Sequence, residues 1–281
     1  MADKIWIATT AGSLSTGGNW SGGTVPVAGD NVRFPAGTAS VTGGLTALST
    51  ATLGGSLGYL IFEEGYTGTV GTDAASPTYM DTTPSRFEFA GEGVSFINLQ
   101  AANIAATVNK TANPDTGKRG LYLKGTGPIT TLAINQGHVG VAIVHGEAST
   151  VTTTRVSSNS SVWLGAGVTG TTFQSYGGGQ HKIRCALTTL TIYNGEVLTE
   201  EVGAITTVNL YAGKLIPGST GTITTLNGLA GEVDFLQHKS ARTVTTFNYY
   251  LDRLAVGWNI EAVNITTETK QRSGRTSGSA A

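Results

Sequence analysis

The stretch from residue 187 to residue 226 contains the same tetrapeptide three times, as Leu187-Thr188-Thr189-Leu190, Ile205-Thr206-Thr207-Val208 and Ile223-Thr224-Thr225-Leu226. Each copy is an aliphatic residue, two threonines and a second apolar residue. Looser copies lie at 129–132, 151–154, 170–173 and 244–247. The last position advances by 22, 19, 17, 18, 18 and 21 residues. A repeat of this length is typical of one rung of a solenoid.

The spacing within a copy predicts how a rung folds. Side chains of a strand alternate between its two faces, so apolar residues three apart cannot both face one core on a straight strand. We therefore expect the chain to bend at the threonine pair. A residue that favours turns follows each copy, and glycine reaches positive φ at little cost. These turn residues are Gly137, Asn159, Gly178, Gly195, Gly213, Gly231 and Asp252.

The repeat predicts an all-β chain, a single-stranded parallel β-helix (β-solenoid) with rungs of 17–22 residues and an N-terminal cap. Stacked rungs would bury one column of aliphatic side chains and place the threonine pairs in one column of hydroxyls. We predict the solenoid from Val94 to Phe247. The predicted sections are a cap with the first rungs at 1–72, irregular rungs with projecting loops at 73–128, regular rungs at 129–250, and a C-terminal cap with a basic tail at 251–281.

The composition argues against several classes of protein. Glycine accounts for 40 of 281 residues without a Gly-X-Y period, which excludes collagen. Charged residues are 12% and the formal net charge is −1, so we expect no nucleic-acid partner. No run of 18 apolar residues occurs, so we expect no membrane span. Residues 1–4 do not begin a secretory signal, so we expect synthesis in the host cytoplasm and release by lysis or within a particle.

The residues that could carry chemistry do not form a recognisable catalytic site. Glu196 and Glu232 share a rung position with Lys214, and stacked rungs lie about 4.8 Å apart, so this column predicts a surface charge ladder. The four histidines lack metal-ligand spacing, and Cys185, the single cysteine, should be a buried residue. We therefore expect no enzyme activity, no metal and no cofactor. The full column is His138, Ser160, Gly179, Glu196, Lys214, Glu232 and Arg253.

The N-terminal section contains Gly18-Asn19-Trp20-Ser21, then Val25-Pro26 and Gly29-Asp30. These residues predict a cap in which Trp20 plugs the core, Pro26 blocks edge pairing and Asp30 ties the turn. The run resembles the opening motif of β-solenoids in bacterial autotransporter passengers and in phage virion proteins. Residues 60–71, an apolar strand, an acidic turn and Tyr-Thr-Gly-Thr-Val-Gly, resemble the first rung of the same phage-type proteins.

The resemblance implies a structural protein of a bacteriophage virion. Within this class we expect a capsid decoration (cement) protein that binds the major capsid protein on the exterior of the head, because the chain is short for a tail spike. The alternative is a tail spike or fibre that binds or cleaves glycans, which would need a groove lined by aromatic residues and paired acids. Solenoid virion proteins of this kind also imply a homotrimer.

The residues predicted to contact a partner come from the two ends of the chain. Trp20 and Asp30 belong to the N-terminal motif, and a glycan subsite is the other function open to them. Lys270, Arg272 and Arg275 lie in a Ser-, Gly- and Thr-rich end that we expect to order only when it docks on a neighbour with carboxylates. Polar excursions at 73–93 and 109–120 are further candidates for contacts between subunits or with a capsid lattice.

Overall fold

The computed structural model describes residues 2–72, 77–112, 119–201, 203–238, 241–257 and 263–272. They form one parallel β-solenoid with almost no helix, as predicted. Two 3-10 turns, Gly17–Asn19 and Ser21–Gly23, and one short helix, α1 (Thr50–Leu53), lie near the N-terminus. The strands are β1 Asp3–Ile5, β2 Gly12–Ser13, β3 Asn31–Phe34, β4 Val41–Gly43, β5 Leu60–Phe62, β6 Met80–Thr82, β7 Arg86–Phe89, β8 Ser95–Leu99, β9 Ile104–Val108, β10 Leu121–Ile134, β11 Gly137–Val141, β12 Ser149–Val156, β13 Ser160–Leu164, β14 Val168–Ile183, β15 Leu187–Thr199, β16 Ile205–Leu210, β17 Lys214–Pro217, β18 Ile223–Gly228, β19 Gly231–Asp234, β20 Arg242–Tyr250, β21 Leu254–Gly257 and β22 Val263–Gln271.

The predicted stacking of the rungs is confirmed by the strand register. Leu190, Val208 and Leu226 are direct neighbours in three consecutive parallel strands. The second threonines of the seven pairs also form one column, which continues to Thr267. The inward column runs through Lys4, Val32, Leu60, Phe87, Ala106, Leu132, Thr154, Phe173, Leu190, Val208, Leu226, Phe247 and Glu268.

The chain bends at the threonine pair, as the spacing predicted. In β16, Ile205, Val208 and Leu210 are buried, whereas the two threonines between Ile205 and Val208 face outward. Two consecutive outward residues are incompatible with a straight strand, because side chains alternate along it. The bend therefore turns both flanking aliphatic residues into the same core.

The solenoid is longer than the predicted span from Val94 to Phe247. Its parallel pairing begins at Asp3 in β1 and ends at Gln271 in β22. Several N-terminal rungs span 26–28 residues, since the inward column steps from Lys4 to Val32, Leu60 and Phe87 and later from Ala106 to Leu132. Of these steps, only that from Ala106 to Leu132 contains one of the seven copies of the repeat, at 129–132. Residues 1–72 thus contain complete rungs behind the cap.

The predicted excursion at 73–93 is shorter than expected. Two parallel strands, β6 and β7, occupy much of it, and residues 73–76 lie outside the described part. In the excursion at 109–120, residues 113–118 also lie outside the described part of the chain. Lys110 at its start binds Glu92 and lies 3.1 Å from Glu64, so ion pairs hold this flank against earlier rungs. Contact with a partner through either excursion stays a prediction.

Six of the seven predicted turn residues, all but Asp252, have positive φ, which explains the glycines among them. Gly213 has φ +79°, and a Cβ atom there would lie 2.3 Å from the carbonyl oxygen of Gly195 in the rung above. Gly146 has φ +83°, but a Cβ atom there would meet open space. Alanine substitutions at Gly213 and Gly146 can therefore separate the cost of backbone strain from the cost of the close approach between neighbouring rungs.

We expect Gly213→Ala to lower the free energy of unfolding by about 3 kcal/mol, from strain in the left-handed region plus displacement of the rung above. Gly146→Ala should cost about 1 kcal/mol, since only the strain applies. Urea unfolding of the two variants measures the difference. Equal losses would show that the rungs do not approach each other closely at Gly213.

Candidate functional site

The N-terminal motif builds the cap that the sequence predicted. The Trp20 ring is completely buried, and its Nε1 donates a hydrogen bond to the Leu14 carbonyl oxygen at 2.8 Å. The ring packs edge-on against Trp6, with centroids 5.2 Å apart, and against Phe34 at 5.8 Å. Trp20 therefore closes the end of the core and has no surface to offer a partner or a glycan.

Asp30 ties the turn behind this plug. Its Oδ1 accepts a hydrogen bond from the Ala2 backbone N–H at 2.9 Å, and its Oδ2 accepts one from the Val27 N–H at 3.1 Å. The side chain is buried, so it too acts inside the cap. Ser21 contributes in the same way, because its Oγ accepts a hydrogen bond from the Ile5 N–H.

Lys270 is not part of a tail, because it lies in β22. Its Nζ is 3.2 Å from Glu268 Oε2, and Glu268 Oε1 accepts a hydrogen bond from the Tyr249 hydroxyl at 2.8 Å. Glu268 and Lys270 continue columns that are inward-facing in earlier rungs, and inward-pointing charges oppose the addition of another rung. Arg272 follows β22 and is exposed, and Arg275 lies outside the described residues.

The predicted charge ladder is confirmed at its centre and wrong at its ends. Glu196, Lys214 and Glu232 are direct neighbours, with Lys214 Nζ 3.0 Å from Glu232 Oε1. The ends differ because the turns vary in length by one or two residues. His138 faces Ser161 rather than Ser160, Gln180 rather than Gly179 precedes Glu196, and Ala255 rather than Arg253 follows Glu232.

The described residues contain no group of three His, Cys, Asp or Glu side chains that could hold a metal ion. Of the four histidines, His181 alone is buried, and its ring packs against Phe173. Its Nε2 donates to the Gly177 carbonyl oxygen at 3.0 Å and lies 3.1 Å from Ser175 Oγ, while its buried Nδ1 has no partner among the described residues. Cys185 is buried as predicted, and burial raises the pKa of its thiol to about 12.

His181 predicts a pH-dependent stability. Burial lowers its pKa from 6.5 to about 4, because a proton on Nδ1 would place an unpaired charge in the core. The unfolded chain then binds a proton that the folded chain does not, so stability is full above pH 6.5 and falls by about 3 kcal/mol as the pH drops towards 4. Urea unfolding of wild type and His181→Gln at these pH values tests this, with exposed His145→Gln as the control. Parallel pH profiles for wild type and His181→Gln would contradict the assignment.

A cationic stack that the sequence did not reveal crosses the face of β10, β11 and β13. The Arg119 guanidinium lies 3.6 Å from the centroid of the Trp163 ring, and Lys182 Nζ lies 4.6 Å from it. Gly140 lies between Tyr122 and Trp163 at one register position of three neighbouring strands. It leaves space for the Arg119 side chain, since a Cβ atom at Gly140 would lie 3.3 Å from Arg119 Cγ. Burial lowers the pKa of Arg119 to about 10.

His138 and Ser161, beside this stack, meet as a serine–histidine pair. Ser161 Oγ lies 2.6 Å from His138 Nδ1 and accepts a hydrogen bond from Arg119 Nη1 at 2.8 Å. Ser161 is buried. Partial burial lowers the pKa of His138, and the nearby Arg119 cation lowers it further. The geometry favours a packing role, because the serine is inaccessible and already bound by the arginine.

The outward face of β14, β15, β16, β18 and β20 carries two ladders, also missed from the sequence. The tyrosine ladder stacks Tyr176, Tyr193 and Tyr211, with centroids 4.8 and 5.2 Å apart and ring planes within 14° of parallel. Their side chains are 39–47% exposed. The signal was present as tyrosines 17 and 18 residues apart, close to the rung length.

The amide ladder consists of Asn209, Asn227 and Asn248, which occupy one register position. Asn227 Nδ2 donates to Asn209 Oδ1 at 2.9 Å, and Asn248 Nδ2 donates to Asn227 Oδ1 at 3.0 Å. The ladder forms one wall of a groove of about 390 Å³, which we call the amide groove. Leu229, Tyr249, Tyr250 and Gln271 line it as well.

Comparison of the chain with protein-family profiles, with curated proteins and with solved structures finds no match. Within the described ranges, none of the helices is long and apolar enough to cross a membrane. The candidate functional features of the described residues are the closed cap, the charge ladder, the buried cationic stack, and the uncharged groove beside exposed tyrosines.

Proposed function

We propose that the chain is a structural protein of a bacteriophage virion, a capsid decoration protein that binds the major capsid protein as a homotrimer on the exterior of the head. The observation that carries the proposal is the N-terminal cap. Three residues of the motif that resembles phage virion solenoids, Trp20, Ser21 and Asp30, have defined contacts in it. The motif therefore forms a structural unit in this chain, which supports the proposal.

The residues near the two ends of the described solenoid favour assembly through its lateral faces over end-to-end stacking. The aromatic plug closes the N-terminal end, and Glu268 and Lys270 place charges on β22, the last described strand, where they oppose the addition of another strand. A solenoid of this kind would bind partners through its lateral faces, as a protein that covers the surface of a capsid must. Along the sides, the backbone groups are already paired between parallel rungs, so partners meet side chains.

The alternative is a tail spike or fibre that binds or cleaves glycans. The amide groove favours the binding part of this alternative. Cleavage would require two carboxylates across the sugar, and the groove lining contains Asn, Leu, Tyr and Gln side chains. A binding function on the outside of a head is compatible with decoration.

The test is quantitative mass spectrometry of purified virions together with rebinding of the protein to shells that lack it. A decoration protein should be present at a copy number set by the capsid lattice and should saturate empty heads. A copy number that matches the tail, with no binding to heads, would replace decoration by the tail function.

A further inference from the structure

The amide ladder leaves hydrogen-bonding groups free and fixed in direction. Each asparagine side chain offers two N–H groups and one oxygen with two lone pairs. The two bonds within the ladder use one N–H of Asn227 and one of Asn248. Both N–H groups of Asn209, one each of Asn227 and Asn248, and the oxygen of Asn248 have no other partner in the described chain. The hydrogen bonds within the ladder fix the orientation of the amide planes, so ligand binding avoids the entropy cost of ordering these side chains.

Aromatic rings flank these amides on the same face. The column beside the amide ladder reads Tyr176, Tyr193, Tyr211, Leu229 and Tyr250, since the Leu229 N–H bonds to Leu210 as the Tyr211 N–H bonds to Ile192. Leu229 interrupts the stack, so the groove opens where no tyrosine fills the column. Tyrosine provides rigid contact area with an apolar ring and a polar hydroxyl.

The lining of the amide groove has no charged side chain. The Arg253 guanidinium lies 5.9 Å from the Tyr250 ring centroid, and the Glu268 carboxylate, which accepts a hydrogen bond from the Tyr249 hydroxyl at 2.8 Å, is paired with Lys270. An anionic ligand would be recognised by cations, and a cationic one by carboxylates. An extended peptide would seek unpaired strand edges, whereas β16, β18 and β20 pair with strands on both sides.

From these observations we propose that the amide groove binds an uncharged oligosaccharide. Sugar hydroxyls both donate and accept hydrogen bonds and so match the free N–H groups and oxygen of the amides. The apolar C–H faces of a pyranose ring match Leu229 and Tyr250. The groove runs along successive rungs spaced about 4.8 Å apart, so it can follow a linear chain. Binding by the isolated protein does not depend on decoration and would stand if the virion test failed.

The experiment is binding of the full chain to an array of uncharged gluco-, galacto- and manno-configured oligosaccharides, with uronate and sialylated glycans alongside. Wild type should bind at least one uncharged oligosaccharide. Asn227→Ala should bind it at least tenfold more weakly, because the ladder loses its central amide. Leu229→Arg should also bind at least tenfold more weakly with the ladder intact, because the long side chain fills the groove.

Asn135→Ala is the matched control. Asn135 Nδ2 donates a hydrogen bond to Asn109 Oδ1 at 2.8 Å in a ladder outside the groove. The substitution removes an amide from that ladder, so this variant should bind the oligosaccharide as wild type does. Circular dichroism checks that each variant folds, and Leu229→Arg keeps the test valid should Asn227→Ala unfold. Binding of charged glycans alone, no binding at all, or equal binding by wild type and Leu229→Arg would overturn the proposal.

Discussion

Leu210→Asp is expected to destabilise the chain by roughly 5 kcal/mol, which approaches the total stability of many domains. Leu210 is fully buried between Ile192 and Gly228 in the columns of the core. The substitution removes a packed aliphatic side chain and places an uncompensated carboxylate among apolar neighbours. The urea midpoint should fall sharply, and circular dichroism should show loss of β-structure in the rungs around β16.

Thr206→Asp is the control for this prediction. Thr206 is exposed at the bend of the same strand, so its carboxylate stays in water. We expect a change of at most about 0.5 kcal/mol. A similar loss for both variants would show that Leu210 does not face the core.

Trp20→Ala is expected to cost about 3–5 kcal/mol, the usual range for deleting a buried aromatic side chain. The loss combines the edge-on contacts with Trp6 and Phe34 and the hydrogen bond from Nε1 to Leu14. The opened end would also expose the first rungs, and so increase aggregation. Urea unfolding and light scattering measure the two effects.

Trp20→Phe divides the effect between packing and hydrogen bonding. Phenylalanine keeps much of the buried ring but leaves the Leu14 carbonyl oxygen without its donor, which costs about 1–3 kcal/mol. A Trp20→Ala variant as stable as wild type would contradict the role of Trp20 as the plug.

The sequence was sufficient for the parts of the fold that repeat. The threonine pair predicted the bend and the register of Leu190, Val208 and Leu226, because a repeated local pattern must occupy equivalent places in a stack. The cap roles of Trp20 and Asp30 followed from the need to close an open core. Rungs were expected within 1–72, but their length was not predicted, because long steps such as Val32 to Leu60 include no threonine pair.

The surface was harder to predict than the core. One extra residue in a turn shifts every outward neighbour, which is why His138 meets Ser161 instead of Ser160. The Arg119 stack depends on space above Gly140, which no residue pattern announces. Lys270 was assigned to a polar tail because no apolar residue follows Ile265 in its strand, yet the pairing of β22 with β20 incorporates it.

The account depends on the rung register, which places the ladders and the groove. The most direct measurement is the distance between spin labels on exposed threonines in a Cys185→Ala background. Thr152 and Thr224 are four rungs apart and Thr152 and Thr266 six, so rungs of about 4.8 Å predict separations of roughly 19 and 29 Å. An increase of about two rung spacings from the first pair to the second supports the account. Equal distances, or a second distance shorter than the first, would contradict it.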